Sequence, residues 1–285
     1  MARAALVLAA SWLLAACSLV VEPGVTYRDC DLTSYLEEFP RDARTMEELL
    51  ERCWRLDSAG TDPADAYVDD GDLIMHLNKP AGAPRAQWSG SDRGPLFYQR
   101  LEGDFLFAAR VEANDFAAGH CLEDGNMAGL VMRRADAPGD WTSLFVGPYD
   151  VTEKNCPDES PEGAPPTRLV ARTRDDIWGG PIVVDAAPEG IAHDGDGEGD
   201  IALCRRDDVV SYFYRVVAKD PEPETWKKIG EHEAVEGPVE IGPAVTGKDP
   251  VYSVDGHFNW VIIRQGVQSD HCQGRLEGLV VPEGI

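Results

Sequence analysis

Gly103-Asp104-Phe105-Leu106-Phe107-Ala108-Ala109-Arg110-Val111-Glu112 is the stretch that decides the fold. Gly103-Asp104 is a turn. After it, Phe105, Phe107, Ala109 and Val111 alternate with Leu106, Ala108, Arg110 and Glu112. Successive Cβ atoms of a strand point to opposite sides, so a period of two predicts a half-buried β-strand.

Working outward, Met127–Arg134 and Trp141–Gly147 flank a Pro-Gly loop at Ala135–Asp140 and read as a hairpin. Asp72–Leu77 follows an Asp-Gly turn, and Leu96–Leu101 is another short strand. Arg168–Arg174, Ile182–Asp185, Ile201–Arg206, Val209–Ala218, Val239–Val245 and Phe258–Arg264 continue the pattern. Asp207-Asp208 is a tight polar break between two of them. Such a succession, with little helix after residue 55, predicts an all-β fold: a two-sheet antiparallel β-sandwich burying its inner faces. Partly apolar outer faces would let one sheet curve and offer a concave surface.

Before the strands the texture differs. Residues 1–16 carry one basic residue, Arg3, then an apolar run too short to span a bilayer, ending Leu14-Ala15-Ala16-Cys17. A basic start, a short apolar core and small terminal residues make a secretory signal. Its end resembles the bacterial lipobox, which implies cleavage before Cys17 and acylation of its thiol. Ser18 then favours the outer membrane of a bacterial envelope, periplasmic or surface-facing. The expected organisation is a signal peptide over 1–16, a tether over 17–29, a short helical segment over 30–55 and the sandwich over 56–285. Within the third part, 32–39 reads as helical, and Thr45-Met46-Glu47-Glu48 is a capping box opening a helix towards Cys53.

Acidic residues number 51 against 26 basic ones, for a net charge of −25. That balance excludes nucleic acid, whose binding needs Lys and Arg to displace counterions. The membrane partner is reached through the lipid instead. Seven cysteines include Cys17. The other six, Cys30, Cys53, Cys121, Cys156, Cys204 and Cys272, imply three disulfides in an exported chain. The expected pairs are Cys30–Cys53, Cys121–Cys156 and Cys204–Cys272. The six histidines are scattered and no Cys-x-x-Cys occurs, which argues against zinc.

The strand order, with Gly103-Asp104-Phe105, then Ala128-Gly129-Leu130-Val131-Met132-Arg133 and Trp141 after a short loop, resembles the concanavalin-like lectin/glucanase superfamily. More narrowly it is similar to a bacterial family of unknown function in that jelly-roll group. Trp54, Gly71-Asp72 and Leu73 to Leu77 fit its opening, and Trp226-Lys227-Lys228-Ile229-Gly230 and Ile241-Gly242-Pro243-Ala244-Val245 its late strands. The resemblance covers residues 54–264 and implies a jelly roll.

Laminarinase-type enzymes of this fold carry Glu-x-Asp-x-x-Glu, whose alternation puts three carboxylates on one face. That motif is missing here, as are a nucleophile elbow, a phosphate loop and a dinucleotide fingerprint. The expectation is a non-catalytic binding module for a glycan. A glycan-active enzyme with an unfamiliar site and a protein-binding envelope component are the alternatives. Val210, Tyr212, Tyr214 and Val216 share one strand face, and Val209, Ser211, Phe213, Arg215 and Val217 the other. If the Phe213 face is core, Tyr212 and Tyr214 form an open surface on which sugars stack. Trp141 and Arg133 complete the candidate set. Finally, Asp194, Asp196, Glu198 and Asp200 are spaced by glycines like the first half of a Ca²⁺ loop. The twelfth position, Arg205, lacks the bidentate glutamate, so a Ca²⁺ site there needs a ligand from elsewhere.

Overall fold

The computed structural model describes residues 34–38, 46–51, 54–58, 66–69, 71–77, 88, 94–114, 125–148, 167–173, 183–186, 197–207, 209–215, 226–233, 235–247, 254–267, 272 and 276. Among them is one short helix, α1 (Met46–Glu51), with Glu47 and Glu48 in its first turn, where the helix dipole favours negative charge. Thr45 lies outside the described residues.

The strands are β1 (Ser34–Glu38), β2 (Arg55–Asp57), β3 (Ala66–Asp69), β4 (Asp72–Leu77), β5 (Leu96–Leu101), β6 (Phe105–Asn114), β7 (Met127–Arg134) and β8 (Trp141–Pro148). They continue with β9 (Thr167–Thr173), β10 (Val183–Ala186), β11 (Gly197–Arg206), β12 (Val209–Arg215), β13 (Lys227–Glu233), β14 (Val239–Thr246) and β15 (Val254–Gln265). They form two antiparallel sheets. The first, sheet A, runs β13-β12-β11-β6-β15-β4-β3, with β1 also on β15. The second, sheet B, runs β10-β9-β8-β7-β14-β5-β2.

The twelve-residue β15 is shared. Its first part, Val254–Phe258, pairs with β4 and its later part, Trp260–Arg264, with β1, while β6 lies along its other edge. This pairing corrects the helix expected over 32–39. Ser34 to Glu38 match Arg264 to Trp260 residue for residue, so a preformed strand edge overrides the local preference. The N-terminal segment is therefore not helical throughout. It supplies β1 to sheet A and β2 to sheet B.

The inner faces make the main core. From sheet A come Phe105, Phe107, Ala109 and Val111 with Leu73, Met75, Ile201, Leu203, Val261 and Ile263. Leu130, Met132, Leu144, Val146 and Ile241 meet them from sheet B. Trp54 stacks on Phe97 at 4.6 Å between centroids. Each large side chain buried there stabilises the fold by about 1.5–3 kcal/mol.

The outer faces are not open throughout. On sheet A, Leu106, Ala108, Ala202, Phe213 and Ile262 pack with Val267, Cys272 and Leu276 of the C-terminal tail. The Cys204–Cys272 disulfide ties that tail to the middle of sheet A, as expected from the sequence. On sheet B, Trp88 packs over Val131, Trp141, Phe145 and Ala244. β6 is thus buried on both faces over its first half, where the alternation implied only one.

Candidate functional site

The outer face of sheet B is built from short side chains at its centre and long ones around them. Gly129 on β7 and Gly242 on β14 stand side by side with Ala244 and Val131. A Cβ on Gly129 would collide with the carbonyl oxygen of Leu144, and one on Gly242 with that of Phe97. Neighbouring strands approach too closely there for any side chain, and both glycines lie buried in a face that Trp88 partly covers.

Around that floor, Trp141, Arg133, Glu240 and Arg100 form one row across β8, β7, β14 and β5. Tyr98 faces Arg55 and Leu96 faces Asp57 where β5 meets β2. Arg133 is the hub. Its Nη1 donates to Asp57 Oδ2 at 2.6 Å and its Nε to Glu240 Oε2 at 2.7 Å. The guanidinium carbon lies 5.3 Å from the centre of the Tyr98 ring. Burial works against the charge of Arg133, but the hydrogen bond to Asp57 and the Glu240 charge outweigh it, so the guanidinium is held above its ordinary value. Burial first, and then Glu240, push the Tyr98 phenol up. The arginine side chain is only 4% exposed, whereas Asp57 is 31% exposed and Glu240 14%. The carboxylates therefore form the wet rim of a site whose cation is sealed. Ser143, two residues from Trp141 on the same face, is fully buried and its hydroxyl has no partner.

The outer face of sheet A carries a second polar row with the charges reversed. Trp260 lies beside Arg110, Arg110 beside Asp200, and Asp200 beside Arg215. Asp200 is fully buried and accepts from Arg110 Nε at 2.9 Å and from Arg215 Nε at 2.9 Å. Arg110 sits over Trp260 at 5.9 Å and Arg215 over Trp226 at 5.4 Å.

No family model matches the chain, and no curated protein matches it. Solved structures do share its architecture. BlXynB, a GH43 protein from Bacillus licheniformis, superposes with a TM-score of 0.50 at 11% identity, over 80% of this chain and 39% of that one. A prokaryotic β-1,3-1,4-glucanase (lichenase) from a mouse hindgut metagenome gives 0.45 at 10% identity, covering 81% and 99%. The lectin from Bauhinia forficata in complex with GalNAc gives 0.46 at 9%, covering 81% and 97%. The fold is a two-sheet antiparallel β-sandwich, a jelly roll. This chain spans about two fifths of the GH43 protein, so the likeness there is to one part of a larger molecule.

The jelly roll settles where the residues singled out in the sequence stand. Arg133 and Trp141 are brought together as direct cross-strand partners. Tyr212 and Tyr214 are not with them. They lie on the inner face, Tyr212 fully buried with its hydroxyl 2.7 Å from Thr142 Oγ1, while Phe213 turns outward under the tail. The tyrosine face is core, which corrects the expectation of an open surface. A tyrosine fits there because Thr142 of the facing sheet completes its hydrogen bond.

The acidic loop is corrected too. β11 starts at Gly197, so Glu198 and Asp200 are strand residues, and Asp200 is spent on two arginines rather than on a cation. Asp194 and Asp196 lie outside the described residues, as do Cys17, Cys30, Cys53, Cys121 and Cys156. Among the described residues no group of three or more His, Cys, Asp or Glu side chains is arranged to hold a metal. Sequence reasoning missed Asp57, Tyr98 and Glu240. The available clue was the polar-small alternation Glu240-x-Gly242-x-Ala244.

Proposed function

We propose that the mature chain is a lipid-anchored envelope protein whose jelly roll binds saccharide, without turning it over, on the outer face of sheet B. The observation that carries this reading is Arg133. It fixes Asp57 and Glu240 at a partly exposed rim beside Tyr98. Both carboxylates are held at fixed, partly exposed positions, where a carboxylate oxygen can accept from a sugar hydroxyl. Each carboxylate is tied to the same cation and the laminarinase motif is absent, which favours holding a glycan over cleaving it. The anchor rests on the Leu14-Ala15-Ala16-Cys17 sequence.

The test is a broad glycan panel with the full mature chain, followed by titration of the hits. Asp57→Asn combined with Glu240→Gln should weaken a hit at least tenfold at a temperature where circular dichroism shows the variant still folded. A flat panel, or hits indifferent to both changes, overturns the reading and favours an envelope-protein partner. For the anchor, Cys17→Ala should release the protein from the membrane fraction. Unchanged membrane association would refute it.

A further inference from the structure

The outer face of sheet B carries charge against the trend of the chain. The protein has 51 acidic residues against 26 basic ones. On the described strands of this face the balance reverses. Arg55 beside Tyr98, Arg100 beside Glu240, Arg133 beside Trp141 and Arg172 beside Ser143 stand against two carboxylates, Asp57 and Glu240. All four cations are arginines. The β7–β8 part of the face is buried under Trp88, whereas Arg55, Asp57, Tyr98 and Glu240 are half-buried and Arg100 is exposed. The face is therefore open at β2, β5 and β14.

Arg100 differs from the other three arginines. Arg133 is sealed and bonded twice, and Arg55 and Arg172 have partners of their own. Arg100 points outward on β5 with Leu96 and Tyr98, and it has no hydrogen-bond or ion-pair partner among the described residues. Two nearby carboxylates are already taken. Glu240, directly beside it, accepts from Arg133 Nε at 2.7 Å, and Asp136 accepts from Arg134 Nε at 2.8 Å. Asp136 is held below its ordinary value by that bond first, and in smaller part by the Arg100 charge. An accessible guanidinium is thus left with its donors unused at the edge of the Arg133 site.

A guanidinium is a planar fork that matches a carboxylate through two parallel N–H···O bonds. A neutral sugar leaves that charge unanswered. Adjacent strands lie about 4.8 Å apart, comparable to the span of one sugar ring. A ring whose hydroxyl reaches Glu240 therefore presents a neighbouring substituent to Arg100. We propose that the glycan held at the Arg133 site is acidic, with a uronate carboxylate docked on Arg100 while ring hydroxyls donate to Glu240 and Asp57. This rests on the saccharide reading above and narrows it to one class of ligand. The net charge of −25 repels polyanions at long range, so any preference for an acidic glycan has to come from this face.

The probes are oligogalacturonate and oligomannuronate, each as free acid and as methyl ester, with dextran sulfate as a second source of negative charge. Each is titrated into the full mature chain at one fixed salt concentration. At least one free acid should bind at least tenfold more tightly than its ester and than dextran sulfate. Arg100→Gln, at an exposed position outside the packed clusters, should bring that acid down to the affinity of its ester. Equal binding of acid and ester overturns the proposal, as does a preference that survives Arg100→Gln. Dextran sulfate binding as tightly as the acid overturns the assignment to a carboxylate. If none of these probes binds while neutral glycans bind through Asp57 and Glu240, the acidic ligand is refuted and the saccharide reading stands. Silence from every glycan overturns both.

Discussion

The two outer faces of this sandwich solve the same problem with opposite signs. Sheet B seats one arginine between two carboxylates over a tyrosine. Sheet A seats one carboxylate between two arginines, each over a tryptophan. The hub is sealed in both, but the flanking groups differ. Asp57 reaches solvent, whereas the guanidiniums of sheet A rest on rings that pack in the same cluster as the tail. Each face is partly covered by its own chain, Trp88 on sheet B and the tail on sheet A, but the rim of sheet B keeps two carboxylates partly exposed. Burial of the hub is thus no guide to the exposure of the groups it orients.

The contrast can be broken most forcefully at Asp200. Asp200→Ala strands two guanidiniums around a fully buried position and should cost about 4 kcal/mol in chemical denaturation. Arg133→Met should cost less, about 2 kcal/mol, because Asp57 can turn to water. Equal losses would show that the rim of sheet B is not wet. Next comes the tail. Cys204→Ser with Cys272→Ser opens a loop of 68 residues, and the chain-entropy argument puts the loss at about 4.4 kcal/mol. Tryptophan emission should shift to the red as Trp226 and Trp260 are uncovered, with glycan binding on sheet B intact.

A gain is expected at Gln99, which is fully buried against Ile241 of β14 with both amide atoms unpartnered. Gln99→Met should stabilise by about 1–2 kcal/mol, read from the same denaturation curves. The smallest effect is at His257. Its hydrogen bond to Asp72 raises its value above the usual 6.5, against the opposing pull of burial. The folded state binds that proton more tightly than the unfolded chain, so the contribution is full below pH 6.5 and fades as pH rises through the folded value. Melting temperatures of the wild type and His257→Gln should therefore converge as pH rises above 6.5.

How much of this was legible in the sequence depended on distance along the chain. The β7–β8 hairpin and β6 announced themselves through local alternation and turn residues. β1 did not, because its partner Trp260–Arg264 lies more than two hundred residues away and decides between helix and strand. Alternation also cannot say which face is inner when both are apolar. In β12 the Tyr212 face joins the main core and the Phe213 face a second cluster, so the choice fell to Thr142 on the opposite sheet. Arg133 and Trp141 were found because a seven-residue hairpin joins them. Asp57 and Glu240 were not, for they reach Arg133 from 76 and 107 positions away. His76 and Asp255 meet across 179 positions.

The sharing of β15 has a mechanical side. β1 is the first described strand, and it lies antiparallel along β15 through five residue pairs. In a chain tethered at its N-terminus and pulled through a ligand held on sheet B, tension would enter the jelly roll at β1. Force along the strand axis shears that ladder, so its rungs resist together instead of parting one by one. In such a chain the short segment that local sequence would have made a helix would be the part that carries load into sheet A.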